Sequence, residues 1–353
     1  MPVFEGKCTI DVLWNQKLPE NFNIIKVGKV FRQACQSLVT GCEDGVIRIY
    51  DIAQIQRGIN VKLLHSLETK GGPIQALAVH DVTRFGATDL VVGDSRGSVT
   101  IFCQEQILSR SHVSDHSIDC MQIQQDDTGH VAVVTGDSDG NVCALLPYSE
   151  LWRIRARDHV PVPKSVSGSY KIKSLLSLEI PSCPGVASTN YILASDSCRN
   201  LYIIQQGSVV KVIQTPCVIS AMTCGKFAHV EGDDTAPVPD EVGSLAASKS
   251  AHQVALGGET GAIYILHNFQ ILSEEYANIE LPITKLSSLP GENHSDLLLC
   301  AGYFNSLIVV QNGKELCKHT TPDWVNSIVV TDRDNILLGC IDNTVQSLRV
   351  KLR

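Results

Sequence analysis

The chain has 353 residues, 44% apolar and 19% charged, which excludes general disorder and allows a large core. A formal net charge of −8 excludes a dedicated nucleic-acid binder, because affinity for phosphate backbones comes from Lys and Arg. No apolar run approaches the ~18 residues that span a bilayer, and the start MPVFEGKCTIDVLWNQ has an acid and alternation where a signal peptide needs a continuous apolar stretch.

Taken in chain order, the first predicted element is a strand within KCTIDVLWNQ, residues 8–16. From Asn23 onward the chain falls into units. The first couples NIIKVGKV to the phrase LVTGCEDGVIRIY and then to the alternating VKLLHSLE. The second couples IQALAVHD to LVVGDSRGSVTIF and ILSRSHV; the third, IDCMQIQQ to VVTGDSDGNVCAL and WRIRARD. The fourth runs IKSLLSLEI, LASDSCRNLYIIQ, VVKVIQT, and the fifth opens VISAMTCGKF before VALGGETGAIYIL. The sixth runs ITKLSSL, LCAGYFNSLIVVQ, ELCKHT, and the seventh VNSIVVTD, LLGCIDNTVQSLR. The central phrases align on Gly45, Gly97, Gly140, Asn200, Gly261, Ser306 and Thr344.

Each phrase opens with small and branched apolar residues that run together, the pattern of a strand buried on both faces. A Gly or Ala near its end permits close backbone approach. The turn that follows carries Asp, Ser, Asn and Gly, residues that tolerate the φ > 0 of hairpin turns. With an apolar strand before each hairpin and a polar one after the first six, each unit predicts a four-stranded blade. The whole is an all-β, seven-bladed β-propeller, read as a single domain over 1–353. The seventh unit lacks an outer strand after Arg353, so residues 8–16 are expected to complete it and close the ring. Two insertions interrupt the pattern, at 158–170 and at 230–252.

The stretch HDVTRFGATDLVVGDSRGSVTIF (80–102) resembles the FG-GAP-like blades of integrin α subunits and their intracellular relatives, among them the propellers of BBSome subunits and of the nutrient-signalling complex KICSTOR. MPVF, a Trp-bearing strand and NIIKVGKV are similar to the start of a BBSome propeller subunit. The Gly-His and Trp-Asp dipeptides of WD40 blades are missing from the repeat. The lack of catalytic motifs, the closed rigid frame and the buried-looking cysteines point to a non-enzymatic scaffold whose partners are other protein subunits of a cytoplasmic complex, and the resemblance suggests the ciliary-trafficking or signalling type. No cofactor is expected. The alternative is a propeller that binds a small molecule, or hydrolyses one, through its central channel.

The thirteen Cys scatter singly, with no pair at two-residue separation, and read as small buried hydrophobes in a reducing compartment; a disulfide-bearing secreted domain is the alternative. Asp137-Ser138-Asp139-Gly140, with Asp126 and Asp127 upstream, is the nearest approach to a calcium loop, but falls on a hairpin turn where Asp and Gly are the default. His112 and His116 flank Asp115 where strand passes to loop, without a third metal ligand in view. No nucleophile elbow or phosphate-binding loop is present in the sequence, so no catalytic residue is assigned. The most distinctive surface feature is LWRIRARDH. On a strand, Arg153, Arg155 and Arg157 share one face and Trp152, Ile154 and Ala156 the other. This strip either protects an outer edge by charge or, with Trp152, receives an acidic partner; Arg349, Lys351 and Arg353 repeat the arrangement.

The composition of 230–252, acidic and rich in Pro, Gly, Ser and Ala, predicts a mobile surface loop that cannot bury enough surface to order itself. Limited proteolysis of the isolated chain is expected to cut there first, and shortening 231–250 to leave folding intact; a first cut elsewhere would contradict the reading.

Overall fold

The structure, a computed structural model, describes residues 8–53, 62–125, 129–160, 170–180, 189–228, 253–291 and 295–352. The insertion 230–252, most of 158–170, Asp126, Asp127 and Cys183 lie outside the described residues.

After β1 (Cys8–Lys17) the chain builds blade one from β2 (Phe22–Gly28), β3 (Ser37–Cys42), β4 (Val46–Asp51) and β5 (Leu63–Glu68). Blade two holds β6 (Ile74–His80), β7 (Asp89–Asp94), β8 (Ser98–Cys103) and β9 (Gln106–His112). Blade three holds β10 (Ile118–Gln125), β11 (Val131–Asp137), β12 (Asn141–Leu146) and β13 (Ser149–Arg155), the last running into a 3-10 turn at Ala156–His159. Blade four holds β14 (Ile172–Ile180), β15 (Thr189–Asp196), β16 (Asn200–Gln205) and β17 (Ser208–Gln214). Blade five holds β18 (Ile219–Gly225), β19 (Gln253–Gly258), β20 (Ala262–His267) and two short pieces, β21 (Gln270–Ile271) and β22 (Ala277–Asn278). Blade six holds β23 (Ile283–Leu289), β24 (Leu297–Gly302), β25 (Phe304–Gln311) and β26 (Lys314–Thr320). Blade seven holds β27 (Val325–Val330), β28 (Asn335–Cys340) and β29 (Thr344–Leu352), with β1 as its fourth strand. All pairings are antiparallel, and the fold is the seven-bladed propeller that the repeats predict.

Among the described residues seven apolar clusters hold the ring, and each fills the seam between two adjacent blades. Ile47, Ile49, Ile74 and Leu90 join blades one and two; Leu18, Phe22, Ile25, Leu337 and Val345 join blades one and seven. A blade thus buries both faces only by having two neighbours. The small residue near the end of each second strand makes this fit possible. A Cβ added at Gly93 would stand 2.7 Å from Ile118 Cγ2, the first inner-strand side chain of the next blade, and Gly41 meets Ile74 and Gly136 meets Ile172 in the same way. Ser195 repeats the contact by hydrogen bond, donating to Ile219 O at 2.9 Å.

Buried aspartates organise the hairpin turns. Asp94 Oδ1 accepts from the amides of Arg96 and Ser98, and Asp196 Oδ1 from those of Cys198 and Asn200. Asp137 takes four donors, the amides of Asp139 and Asn141, Asn141 Nδ2 and Ser114 Oγ, so its carboxylate builds the turn. Three residues on from each aspartate comes the residue with φ > 0: Gly97 at 77°, Gly140 at 92° and Arg199 at 64°. This corrects the phrase alignment by one residue in blades four and seven, where Arg199 and Asn343 (φ 70°), not Asn200 and Thr344, occupy the turn position. In blade six Asn305, not Ser306, matches that position by its carbonyl bond to Thr321 N, and its φ is not positive. Gly97 is required for space as well, since a Cβ there would collide with Ser114 O.

The closing strand is a full member of its blade. β1 pairs β29 from Cys8↔Leu352 to Lys17↔Thr344. It skips Leu13 in a bulge, at the place where β5, β9, β13, β17 and β26 skip Leu64, Leu108, Leu151, Val210 and Leu316. Leu18 N then bonds Asn343 O at 2.9 Å, the same bond that Thr69 makes to Gly45, Thr215 to Arg199 and Thr321 to Asn305. The outer strand of blade five departs from the pattern. Leu272 N still bonds Ile265 O, the chain leaves the ladder over Ser273–Glu275, and Tyr276 N rejoins it at Ile263 O.

Removing residues 1–17 is expected to lower the melting temperature by about 10 °C or more, because each kcal/mol is worth roughly 2–4 °C in a larger domain. An unchanged melt would refute the closure. The same geometry sets Cys8 Sγ 2.9 Å from Cys317 Sγ across the seam of blades six and seven. Diamide is therefore expected to oxidise this pair to a disulfide, read by mass spectrometry as a peptide joining the two residues.

Candidate functional site

The inner strands create the site through one repeated irregularity. Each carries a β-bulge that skips its second residue, between Phe22 and Ile24 in blade one, Ile74 and Ala76 in blade two, and so on to Val325 and Ser327 in blade seven. A bulge leaves its extra residue unpaired and re-aims the side chain. The seven skipped residues are Asn23, Gln75, Asp119, Lys173, Ser220, Thr284 and Asn326, every one polar, and all seven line a single cavity of about 640 Å³ at one end of the central channel.

Part of this ring stitches blades together. Asn23 Nδ2 donates to Ile74 O at 2.9 Å, Asn326 Nδ2 to Phe22 O at 3.0 Å, and Ser220 Oγ to Ile283 O. Each thus reaches the first inner-strand carbonyl of the next blade. Lys173 Nζ meets Glu259 Oε1 at 2.8 Å, and Lys171 Nζ meets Asp119 Oδ2 at 2.8 Å. Gln75 and Thr284 make no side-chain hydrogen bond among the described residues.

A further lysine lines the cavity, and the charge of a second acts on it. Lys285, from blade six, lines the cavity with its side chain open to channel water. Enclosure by the surrounding blades holds its pKa below the ordinary lysine value, the positive charge of Lys26 adds to that depression, and Cys120 opposes it. Lys26, from blade one, is half-buried and depressed by burial. Neither lysine has an ion pair among the described residues.

Above this ring the hairpin turns form the rim. Their second residues bond the residue that precedes the inner strand: Glu43 N to Asn21 O, Glu259 N to Val218 O, Tyr303 N to Pro282 O and Ile341 N to Trp324 O, at 2.9 to 3.3 Å. Blades six and seven place Tyr303, Trp324 and Ile341 there, 59%, 42% and 51% exposed. The rings of Tyr303 and Trp324 lie 5.3 Å apart at 55°. Together they make an apolar patch beside the channel mouth, next to the polar ring.

The residues singled out in the sequence lie elsewhere. Ile154 and Ala156 are buried, and Arg153 and Arg155 are exposed on β13, as the alternation predicts; Arg157 is exposed in the 3-10 turn. Trp152 is half-buried in the seam of blades three and four, where its ring packs against Gly207. Arg153 is held by Glu150 through Nη2 at 2.5 Å, and Arg157 Nε stands 3.9 Å from Asp158. Arg155 has no ion pair among the described residues. His112 Nε2 meets Asp115 at 3.1 Å on an exposed strand end. The channel ring escaped the sequence reading, although a signal for it exists: every inner strand opens with an apolar residue and then a polar one, as in FNI, IQA, IDC, IKS, ISA, ITK and VNS.

No family model and no curated protein matches the chain. Solved structures do share its fold. The chain is similar to the propeller in the crystal structure of BBS1N in complex with ARL6DN, soaked with mercury, with a TM-score of 0.68, 12% identity and coverage of 98% of each chain. The lead-soaked crystal of that complex gives a TM-score of 0.68 at 12% identity, over 96% of each chain. The WD40 β-propeller domain of Doa1 gives 0.64 at 12% identity, again over 96% of each chain. At this identity the likeness shows the fold alone.

The stitching role makes a graded prediction. Asn23→Ala is expected to cost about 1 kcal/mol, the net worth of one hydrogen bond, whereas Gln75→Ala stays within about 0.5 kcal/mol. Urea melts of the two variants compare them directly, and equal losses would contradict the assignment.

Proposed function

We propose that this propeller is a non-enzymatic interaction platform: a subunit of a cytoplasmic multiprotein complex, of the ciliary-trafficking or signalling type, that binds its partners on the channel-mouth face. One observation carries the reading. Tyr303, Trp324 and Ile341 form an exposed apolar patch on a rigid rim, and aromatic anchors of this kind dominate protein–protein contacts. The polar and charged residues around it, among them Asn21, Asn343, Glu43 and Lys171, supply the rim that such an interface needs. The similar propeller of BBS1N was crystallised with a protein partner, ARL6DN, which supports a platform role for this architecture.

The basic strip of blade three offers a second contact in the same proposal. Arg155 and Arg157 are exposed there, and an acidic partner would compete with Glu150 for Arg153. Trp152 supports the strip from the seam behind it.

Affinity purification of the full chain, compared across variants, tests both contacts. Trp324→Ala together with Tyr303→Ala is expected to leave the melting temperature near that of the parent. It should weaken at least one partner by about 2 kcal/mol or more, the usual cost of truncating an aromatic anchor. Changing Arg153, Arg155 and Arg157 together to Glu should fold normally and weaken a partner whose binding depends on salt. If both variants fold and keep every partner at parental affinity, the platform reading of these surfaces is wrong.

A further inference from the structure

We infer that the seam between blades five and six is a docking site for an arginine side chain of a partner protein. Other seams share a filler that this one lacks. Four residues past the turn position, the third strand of a blade has a partner on the outer strand: His65 opposite Ile49, Trp152 opposite Ala144, Lys211 opposite Ile203 and Cys317 opposite Val309. Each of these crosses to the start of the next blade's outer strand. His65 Nδ1 meets Glu105 Oε2 at 3.2 Å, Trp152 packs on Gly207, Lys211 Nζ donates to Phe269 O at 2.7 Å, and Cys317 Sγ meets Cys8 Sγ at 2.9 Å. In blade five the same position is Ile265, which has no ladder partner on the outer strand. Opposite it the chain swings out over Ser273–Glu275, between Leu272 and Tyr276. Between Ile265 and the start of blade six's outer strand, at Asn312 and Gly313, lies a cavity of about 490 Å³.

The lining fixes the chemistry of the occupant. Phe227, Ile265 and Leu272 supply apolar surface, and the Tyr276 ring, 6.4 Å from that of Phe227, adds an aromatic wall. The charges are one-sided: Glu274 and Glu275 are exposed in the lining, and among the described residues no Lys, Arg or His joins them there. Glu275 accepts from Tyr264 Oη at 3.5 Å, and neither carboxylate has an ion pair among the described residues. A long side chain with an apolar stem and a cationic head satisfies both features, stem inward and head at the carboxylates. Arginine fits better than lysine, because its guanidinium is more weakly hydrated, pairs with carboxylates as a planar fork and stacks on aromatic faces. The seam of blades four and five already holds a cation at this position, in Lys211. The cavity lies beside an outer strand and shares no residue with the channel-mouth patch, so the inference does not depend on the platform reading of that patch.

The test is fluorescence anisotropy of the full chain with the labelled, end-blocked peptide Gly-Ser-Arg-Ser-Gly, beside counterparts that carry lysine or citrulline in place of arginine. The arginine peptide is expected to bind saturably at one site, and more weakly at high salt. Citrulline keeps the shape of the side chain without its charge, and its peptide should bind about tenfold more weakly, the usual loss when a hydrogen bond to a charged group is removed. Glu274→Gln together with Glu275→Gln should weaken the arginine peptide by about the same factor. That variant should melt as the parent does, because both side chains are exposed. Ser273→Lys with Glu274 and Glu275 deleted gives blade five the single residue that blade four has between Val210 and Val212. It should abolish binding without lowering the melting temperature. Trp324→Ala, on the channel-mouth patch, should bind as the parent does. Absence of binding by the arginine peptide overturns the inference, as does a lysine or citrulline peptide that binds as tightly, or binding that survives in the Glu274→Gln, Glu275→Gln variant. Binding that emerges only after residues 231–250 are removed overturns it too, by making that stretch of the chain the occupant.

Discussion

A ring of blades has no natural beginning, but the chain that makes it does, and the two are reconciled by the antiparallel ladder between Cys8–Lys17 and Thr344–Leu352. Each blade is stabilised by the apolar seams on its two sides, and the ladder determines whether blades one and seven hold their second seam, against each other. Cys8, Val350 and Leu348 belong to the cluster that joins blade seven to blade six, and Leu18 to the one that joins it to blade one. The closing strand therefore contributes to two seams, and the ladder's hydrogen bonds set the register of both.

Within that closed frame, packing and chemistry are separated by position along each inner strand. The first residue is Phe, Ile or Val and fills the space left by Gly, Ser or Ala on the preceding blade. The next residue is released from the ladder by its bulge and faces the channel. A seven-fold structural repeat thus presents a ring with seven occupants of six kinds: two Asn, one Gln, one Asp, one Lys, one Ser and one Thr. The rim above behaves likewise, with bonds of the same kind holding Tyr303 and Ile341 on blades six and seven, between Glu259 on blade five and Glu43 on blade one.

Most of the architecture was legible in the chain because two opposite patterns alternate there, continuous apolar runs for strands packed on both sides and polar alternation for outer strands. The closing role of KCTIDVLWNQ followed from counting strands in LLGCIDNTVQSLR. What misled was identity at the turns. Alignment of whole phrases on the position of Gly97 chose Asn200 and Thr344, whereas the feature that sets the turn in blades two, three and four is the buried Asp three residues before the left-handed position, and in blade four that position is Arg199. The outer-strand strip was visible as alternation, yet its Trp152 belongs to a seam, a contact with Gly207 that lies far along the chain. Tyr303, Trp324 and Ile341 are scattered in sequence, and only the shared rim bonds of the last two blades bring them to one surface. The inner bulges mark themselves only by one polar residue after the first apolar one, and that the ladder skips this residue is a property of pairing that periodicity does not encode.

The bulges also bear on how such a protein changes over time. A residue that packs in a seam is constrained by volume on two sides, and any change in it must be matched across the gap. A bulge residue on the channel is free of both its ladder and its seam. Where it also makes no bond, as at Gln75 and Thr284, its replacement is limited by little beyond its own solvation. Such unbonded positions, each tied to a different blade, form a palette on which charge and polarity can be rewritten one site at a time. The scaffold keeps its stability while its central surface drifts toward new ligands. Two propellers could thus keep the same fold at 12% identity and share nothing of what their channels hold.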